Sequence, residues 1–301
     1  MNELIAQARL HPEIFLVVGD LGFSVIEPFA QEFPDRYLNV GVAEQNMTGV
    51  SAGLASEGYH VFTYSIANFP TLRCLEQIRN DVVYHKLPVT VVAVGAGLAY
   101  GSLGHSHHAV QDIAILRSLG DLTVYSPSDP GETRECVRKL VDRPHPSYLR
   151  LGKAGEKVLH DRPFIVLPIL VRPGESDLAL VACGSILAAA LQTADLLAQQ
   201  GISAAVFSCP QVHPLNPQAL AAFDRFRHLF VVEEHVEAGG LYSALREKLP
   251  SAVDIASASL PWSVLGEVGS QDYLRARAGL TPELLLARIR ARFADHLAVK
   301  L

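Results

Sequence analysis

Short apolar runs rich in β-branched residues alternate along this chain with segments of helical periodicity. Ile14–Val18, Val89–Val94 and Leu178–Ala182 are three of these runs, and a glycine-containing turn follows each one. Runs of this kind, without regular polar alternation, are typical of strands buried on both faces, as in a parallel sheet covered by helices. The alternation therefore predicts an α/β fold.

The length of the chain and its turn-forming residues predict two domains. A chain of 301 residues is longer than most single domains. The segment after Arg150 is rich in glycine and proline and lacks a long helical period. We therefore expect two consecutive domains, each a mainly parallel sheet flanked by helices. The predicted boundaries are residues 1–155 for the first domain, 156–174 for a linker and 175–301 for the second domain.

Charge and hydropathy argue against several classes of protein. The formal net charge is −6, and without a basic cluster the chain is not expected to bind nucleic acid. The longest apolar stretch, Leu178–Leu191, is interrupted by Gly184 and Ser185 and is shorter than the roughly 20 residues that cross a bilayer. The four cysteines form no CxxC pair, which favours buried thiols. Because the N-terminus is also unlike a secretory signal, we expect a cytoplasmic protein without membrane association.

Three local features are candidates for chemistry. Glycines follow the strand Val89–Val94, but their spacing does not match a dinucleotide-binding turn and no helix opens there. The histidines within His105–His108 lack a cysteine or carboxylate at metal-ligand spacing, so they are better explained as pocket or surface residues than as a zinc site. Glu44 opens a helix of small apolar residues, either as a solvated first-turn acid or as a buried functional carboxyl group. Periodicity alone favours the solvated acid.

Four blocks of residues, taken as strings, resemble the transketolase family of thiamine diphosphate enzymes. The most informative is Gly41–Met47, which spells GVAEQNM and resembles the pyrimidine-binding motif of the family. The other three stand in family order, and the resemblance continues into the second domain, so that it covers almost the whole chain. These blocks are Gly19–Gly22, Glu76–Asp81 and Gly104–Arg117, followed in the second domain by Val232–His235 and Gly239–Leu241.

One part of the family pattern has no counterpart in this chain. Family members also have a diphosphate-binding domain, in which a Gly-Asp-Gly sequence and a following asparagine hold magnesium. The resemblance therefore implies the C-terminal subunit of a split transketolase, which moves a two-carbon ketol unit between sugars. Thiamine diphosphate would lie between this chain and an N-terminal diphosphate-binding subunit that provides most of the Mg²⁺ site. The implied assembly is a homodimer of this chain within an α2β2 complex, and no metal site is expected in the chain itself.

The resemblance implies two catalytic residues, Glu44 and His107. A family carboxyl group hydrogen-bonds N1′ of the aminopyrimidine, and Glu44 occupies its position. His107 matches a family histidine that points at the reacting carbonyl group. With the motif in view, we expect Glu44 to be a buried catalytic carboxyl group with a raised pKa, and not a solvated acid.

Further residues are implied as binding contacts. Phe69 matches an aromatic residue that packs against the pyrimidine ring, and Tyr64 is expected near the same face together with Phe62. The cofactor contacts are Asp20, Leu21, Glu44, Phe69 and Tyr64, and the substrate contacts are His105, His107 and Arg150. Core packing is the alternative for Tyr64 and Phe62, and a structural arginine at a strand end is the alternative for Arg150.

Two positions depart from the family and bear on the substrate. Transketolases that act on phosphorylated sugars usually have a histidine twelve residues before the position of His107 and an aspartate four residues before it. This chain has Gly95 and Leu103 there, which predicts an unphosphorylated or otherwise modified sugar donor. The alternatives are the β subunit of a 2-oxoacid dehydrogenase, a subunit similar to deoxyxylulose-phosphate synthase, and a non-catalytic regulatory or scaffolding subunit.

Overall fold

Strands and helices alternate along the computed structural model, which describes residues 1–164 and 167–293. The first half of the chain contains α1 (Asn2–Leu10), β1 (Ile14–Val18), α2 (Glu27–Glu32), β2 (Tyr37–Asn39), α3 (Glu44–Ser56), β3 (His60–Ile66), α4 (Leu75–Gln77), β4 (Val89–Val94), α5 (Asp112–Arg117), β5 (Thr123–Tyr125), α6 (Pro130–Asp142) and β6 (Ser147–Leu151). The second half contains β7 (Ile169–Arg172), β8 (Leu178–Ala182), α7 (Leu187–Ala198), β9 (Ala205–Ser208), β10 (Gln211–His213), α8 (Pro217–Leu220), β11 (His228–Val236), α9 (Leu241–Arg246), β12 (Asp254–Leu260), α10 (Gln271–Ala278) and α11 (Pro282–Phe293).

The described residues form two sheets, and both are mainly parallel. The first has the strand order β10-β5-β6-β4-β3-β1-β2, in which only β10 is antiparallel to its neighbour. The second has the order β12-β11-β8-β9-β7, in which only β7 is antiparallel. Strands β1, β4 and β8 are buried along their whole length, because helices cover both faces of each sheet. The predicted fold class is confirmed.

Two short strands are not where the sequence suggested. The edge strand β7 lies inside the predicted linker and pairs with β9. Strand β10 comes from the second half of the chain but pairs with β5 of the first sheet. Short edge strands carry a weak local pattern, and a partner strand elsewhere in the chain completes them. The exact domain boundaries stay a prediction.

The helical segment between β3 and β4 is not a regular α-helix. Helix α4 is a single turn, and Ile78–Val83 continues it as a wider π-helical turn. The backbone N–H of Tyr84 donates to the carbonyl of Arg79, five residues earlier. Ile78, Val82 and Val83 are buried, and this spacing of four and five residues suits the wider turn.

The parallel arrangement of the first sheet brings its functional loops to one edge. The carboxyl ends of β1, β3 and β4 lie side by side, since β1 pairs with β3 and β3 pairs with β4. Ligand sites in open α/β sheets occur at this edge.

All four cysteines are buried and free. In the described part of the chain, no helix is long and apolar enough to cross a bilayer.

Candidate active site

Glu44 is the first residue of α3, and its side chain is only 2% exposed. Helix α3 packs against β3 and β1, which places Glu44 against the turn that follows β1. A Cβ atom added to Gly19 would lie 3.7 Å from Glu44 Cγ and 3.5 Å from Ser65 Oγ. Of the two alternatives for Glu44, the buried carboxyl group is therefore the one that the fold produces.

The Glu44 carboxylate has a charged partner that sequence analysis missed. Arg73 Nη1 donates to Glu44 Oε2 at 2.6 Å. The same guanidinium lies over the ring of Phe69, with Arg73 Cζ 4.6 Å from the ring centroid. The available signal was the spacing of four residues between an aromatic and a basic residue, which places both on one side of a helical turn.

Phe69 also contacts His107, in the loop after β4. Their ring centroids are 5.2 Å apart with an interplanar angle of 74°, an edge-to-face contact. The Asn68 side chain fastens the two loops together, because its Nδ2 donates to the carbonyl of His108 at 2.6 Å and to that of Ser106 at 3.2 Å. Glu44, Arg73, Phe69 and His107 therefore form a continuous row, which we call the active-site row.

Asp20 and Leu21 lie at the same edge, directly after Gly19. Asp20 has a left-handed backbone with φ of 54°, and its Oδ1 accepts a hydrogen bond of 2.9 Å from Asn39 Nδ2. This bond ties the turn after β1 to the end of β2. Asp20 and Leu21 thus directly follow Gly19, the residue whose Cβ position lies 3.7 Å from Glu44 Cγ.

Tyr64 and Phe62 lie on the face of the sheet opposite to the one that carries Glu44, and not on the same face as expected. Ser65 points towards Glu44, so its neighbour Tyr64 points to the opposite face, since side chains alternate along a strand. A Cβ atom at Gly22 would lie 2.8 Å from Tyr64 Cε1. Burial raises the pKa of Tyr64 to about 12, and Phe62 is 1% exposed in the core. Phe62 therefore packs in the core, whereas Tyr64 is half-buried and its contact with the cofactor stays a prediction.

His105 is exposed and turns towards the second half of the chain. Its Nδ1 lies 3.2 Å from the carbonyl oxygen of Leu265, and its ring centroid is 6.3 Å from that of His108. His108 is buried, and burial lowers its pKa. Within residues 1–164 and 167–293, no group of three histidine, cysteine or acidic side chains is arranged to hold a metal ion.

Arg150 is buried in a network of hydrogen bonds at the end of β6. Its side chain is 2% exposed, and its Nε donates to Asp112 Oδ2 at 2.7 Å. Its Nη2 donates to the carbonyl of Ala109 at 2.6 Å and to that of Glu234 at 3.1 Å. Although burial opposes ionisation of Asp112, the adjacent Arg150 holds the pKa of that carboxyl group below its usual range. These contacts are those of a structural arginine, and a contact of Arg150 with a sugar phosphate stays a prediction.

Gly95 and Leu103 are the two positions that depart from the family, and the structure shows what surrounds each of them. Gly95 has φ of +99°, and a Cβ atom there would lie 2.3 Å from Cδ2 of the Tyr100 ring. Both the backbone conformation and the ring exclude a side chain at this position. Leu103 is 55% exposed, so it presents an apolar surface at the rim of the same edge.

The active-site row fits one half of thiamine diphosphate. An aminopyrimidine needs a carboxyl partner and a flat apolar surface, which Glu44 and Phe69 supply side by side. The hydroxyl of Ser65, beside Gly19, is buried and has no hydrogen-bond partner in the described part of the chain, so a polar group can still be accommodated there. This fit concerns the aminopyrimidine part of the cofactor.

Comparison with known proteins gives the family. Residues 1–155 match the transketolase pyrimidine binding domain, and residues 169–284 match the transketolase C-terminal domain. One subunit of the apulose-4-phosphate transketolase of Phocaeicola vulgatus is 35% identical over 253 residues, covering 82% of this chain and 81% of that protein. A 6-deoxy-6-sulfo-D-fructose transketolase subunit of a Clostridium species is 32% identical, covering 92% of this chain and 88% of that protein. A solved split gene transketolase, an inactive β4 tetramer, has a TM-score of 0.84 and 30% identity, covering 97% of this chain and 96% of that one.

These matches define a thiamine diphosphate-dependent transferase chain built from a pyrimidine-binding and a C-terminal domain. The chain belongs to the transketolase family, and the resemblance seen in its sequence is confirmed.

Proposed function

We propose that this chain is the C-terminal subunit of a heteromeric transketolase that transfers a two-carbon ketol unit between sugars. The active-site row is the observation that carries the proposal, because it combines a buried carboxyl group, an aromatic ring and a histidine at the carboxyl edge of the first sheet. When bound, thiamine diphosphate supplies a nucleophilic thiazolium carbon that accepts and releases the two-carbon unit.

The residues of the row have distinct tasks in this proposal. Glu44 hydrogen-bonds N1′ of the aminopyrimidine and thereby sets the protonation of that ring. Phe69 packs against the ring and excludes water from it. His107, held by its contact with Phe69, donates a hydrogen bond to the oxygen of the reacting carbonyl group. The turn at Asp20 and Leu21 closes the pocket on the side of β1.

The proposal includes a partner, because this sequence has no counterpart of the Gly-Asp-Gly motif of the family's diphosphate-binding domain. A second chain with a diphosphate-binding domain would supply the Mg²⁺ site, and two shared sites close with twofold symmetry as α2β2. The names of the relatives support a separate partner subunit, since they describe transketolase subunits and a split gene transketolase. The isolated chain is then expected to bind thiamine diphosphate weakly and to have no turnover.

Calorimetry on the chain alone and on a co-expressed complex tests the proposal. The partner to be tested is a chain that carries the diphosphate motif, sought first among the products of neighbouring genes. We expect tight, Mg²⁺-dependent binding of thiamine diphosphate only in the complex, and ketol transfer by the complex but not by either chain. Tight Mg²⁺-dependent binding to the lone chain, or a complex that binds the cofactor without turnover on any ketose, would contradict it. The second result would favour a regulatory or scaffolding subunit.

A further inference from the structure

Glu44 is buried, yet the cation beside it reaches in from the surface. The side chain of Glu44 is 2% exposed and that of Arg73 is 46% exposed. Taking a carboxylate out of water costs several kcal/mol unless a charged group or hydrogen bonds compensate it. Among the ion pairs of the described residues, Glu44 has one, with Arg73. Besides the N-terminus of α3, at which Glu44 lies, the charged partner that compensates this buried carboxylate is therefore one half-exposed side chain.

Arg73 is fixed at both ends, unlike an ordinary surface arginine. Its backbone carbonyl accepts a hydrogen bond of 3.2 Å from Gln45 Nε2, on the first turn of α3. Its guanidinium is held between the Glu44 carboxylate and the face of Phe69. Stacking on an aromatic face and a charge-assisted hydrogen bond together favour one orientation of the planar group.

The bond from Arg73 is directed to Oε2 of Glu44. A carboxylate accepts hydrogen bonds at both oxygens, so Oε1 is the oxygen that Arg73 leaves available to a ring nitrogen. A carboxyl group without this anchor would turn about its terminal side-chain bonds, and its lone pairs would no longer be directed at one point.

We propose that Arg73 is a positioning residue for the cofactor site, and this rests on the proposed function. Its guanidinium holds Glu44 Oε2 so that Oε1 faces the aminopyrimidine, and it sets the Phe69 ring beside that carboxyl group. Arg73 itself contacts neither the reacting carbon nor the sugar. Arg73 thus determines the distance between the Glu44 carboxylate and the Phe69 ring.

The first test uses the full chain alone and needs no cofactor. A double-mutant cycle combines Arg73→Met with Glu44→Gln, and urea unfolding measures the stability of each variant. Met keeps much of the apolar contact with Phe69 but cannot donate to Glu44. We expect Arg73→Met to lower the folding equilibrium constant at least tenfold more in the wild-type background than in the Glu44→Gln background. Equal effects in both backgrounds would overturn the ion pair and the proposal.

The second test uses the complex with the partner subunit and measures deuterium exchange at C2 of bound thiamine diphosphate. We expect Arg73→Met to slow exchange at least tenfold and Arg73→Lys to slow it less. Lysine keeps the positive charge but lacks the planar guanidinium that donates to Glu44 and stacks on Phe69. Added guanidinium is expected to restore exchange in Arg73→Ala, whereas methylammonium restores less. Arg79→Met, an exposed arginine in the adjacent turn, is the matched control and should leave exchange unchanged.

The outcomes separate the two proposals. Wild-type exchange that persists unaltered in Arg73→Met would overturn the positioning role and leave the proposed function intact. A wild-type complex that binds the cofactor but does not exchange C2 would overturn the proposed function and, with it, the positioning role.

Discussion

Asp112 and Arg150 form a fully buried ion pair where the first sheet meets β11, with Arg150 Nε 2.7 Å from Asp112 Oδ2. The hydroxyl of Tyr148 donates to the same oxygen at 2.6 Å, and Arg150 also donates to the carbonyl of Glu234 in β11. The pair therefore links the end of β6 and the start of α5 to the second half of the chain. Its role in this structure is to hold that junction together.

Removal of one member of this pair is expected to be costly. Asp112→Leu leaves the Arg150 charge buried without its partner, and we expect a loss of about 3–5 kcal/mol in the free energy of unfolding. The double variant Asp112→Leu/Arg150→Met should lose less than the sum of the two single variants. Urea unfolding measures each variant, and Glu135→Gln, which breaks an exposed pair with Arg138, should cost no more than about 1 kcal/mol. A single-variant cost as small as that of the control would contradict the expectation.

The proposed task of Glu44 predicts a defect in chemistry without a defect in assembly. In the complex with the partner, Glu44→Gln should slow deuterium exchange at C2 of bound thiamine diphosphate by about 10²- to 10⁴-fold, because the amide keeps the shape but cannot exchange a proton. Sedimentation should show the same assembly as wild type. Glu57→Gln, at the other end of α3, is the control and should exchange normally. Exchange at the wild-type rate in Glu44→Gln would refute the assignment.

The raised pKa of Glu233 predicts that the stability of the chain depends on pH. Burial raises its pKa to about 7, although the backbone N–H groups of Leu241 and Tyr242 and the Ser259 hydroxyl oppose the shift. An unfolded glutamate titrates near 4.3, so the folded chain binds more protons between these values. Stability contributed by Glu233 is therefore present below about pH 4.3 and is lost as the pH rises through about 7.

The corresponding measurement is urea unfolding at pH 5 and at pH 8. We expect Glu233→Gln to lose roughly 2–3 kcal/mol less stability than wild type between these values. Burial also raises the pKa of Glu156 to about 7. The Glu233→Gln variant should therefore still lose some stability between pH 5 and pH 8. The exposed Glu237→Gln should retain the full wild-type slope, and an equal slope in Glu233→Gln would show that Glu233 does not cause it.

The environment of Gly95 and Leu103 predicts the donor class. Gly95 offers no side chain to a phosphate, and Tyr100 fills the space beside it. Leu103 offers no polar partner to a sugar hydroxyl, whose desolvation would then be uncompensated. The complex should therefore prefer an unphosphorylated or otherwise modified ketose to xylulose 5-phosphate, as judged by kcat/KM. A hundredfold preference for xylulose 5-phosphate, about 2.7 kcal/mol in transition-state binding, would show that other residues bind the phosphate.

Local sequence patterns were sufficient for the fold class and for several elements. Strands Ile14–Val18, Val89–Val94 and Leu178–Ala182 have the bounds that their apolar runs predict, because a strand buried on both faces must be apolar at nearly every position. The string around Glu44 also identified the family. Periodicity alone did not place Glu44 correctly, since an acid in a first helical turn has the same local pattern whether the fold covers it or not.

Which side chains meet depends instead on the tertiary structure. Side chains alternate along β3, so that Ser65 points towards Glu44 and Tyr64 points away from it. A shift of the strand by one residue would exchange the two faces. The pairing of β3 with β4 brings the loops of Phe69 and His107 together. Arg73 reaches Glu44, and Arg150 reaches Asp112, across long stretches of chain. Such contacts depend on how the strands are ordered in the sheet, and local sequence patterns do not encode that order.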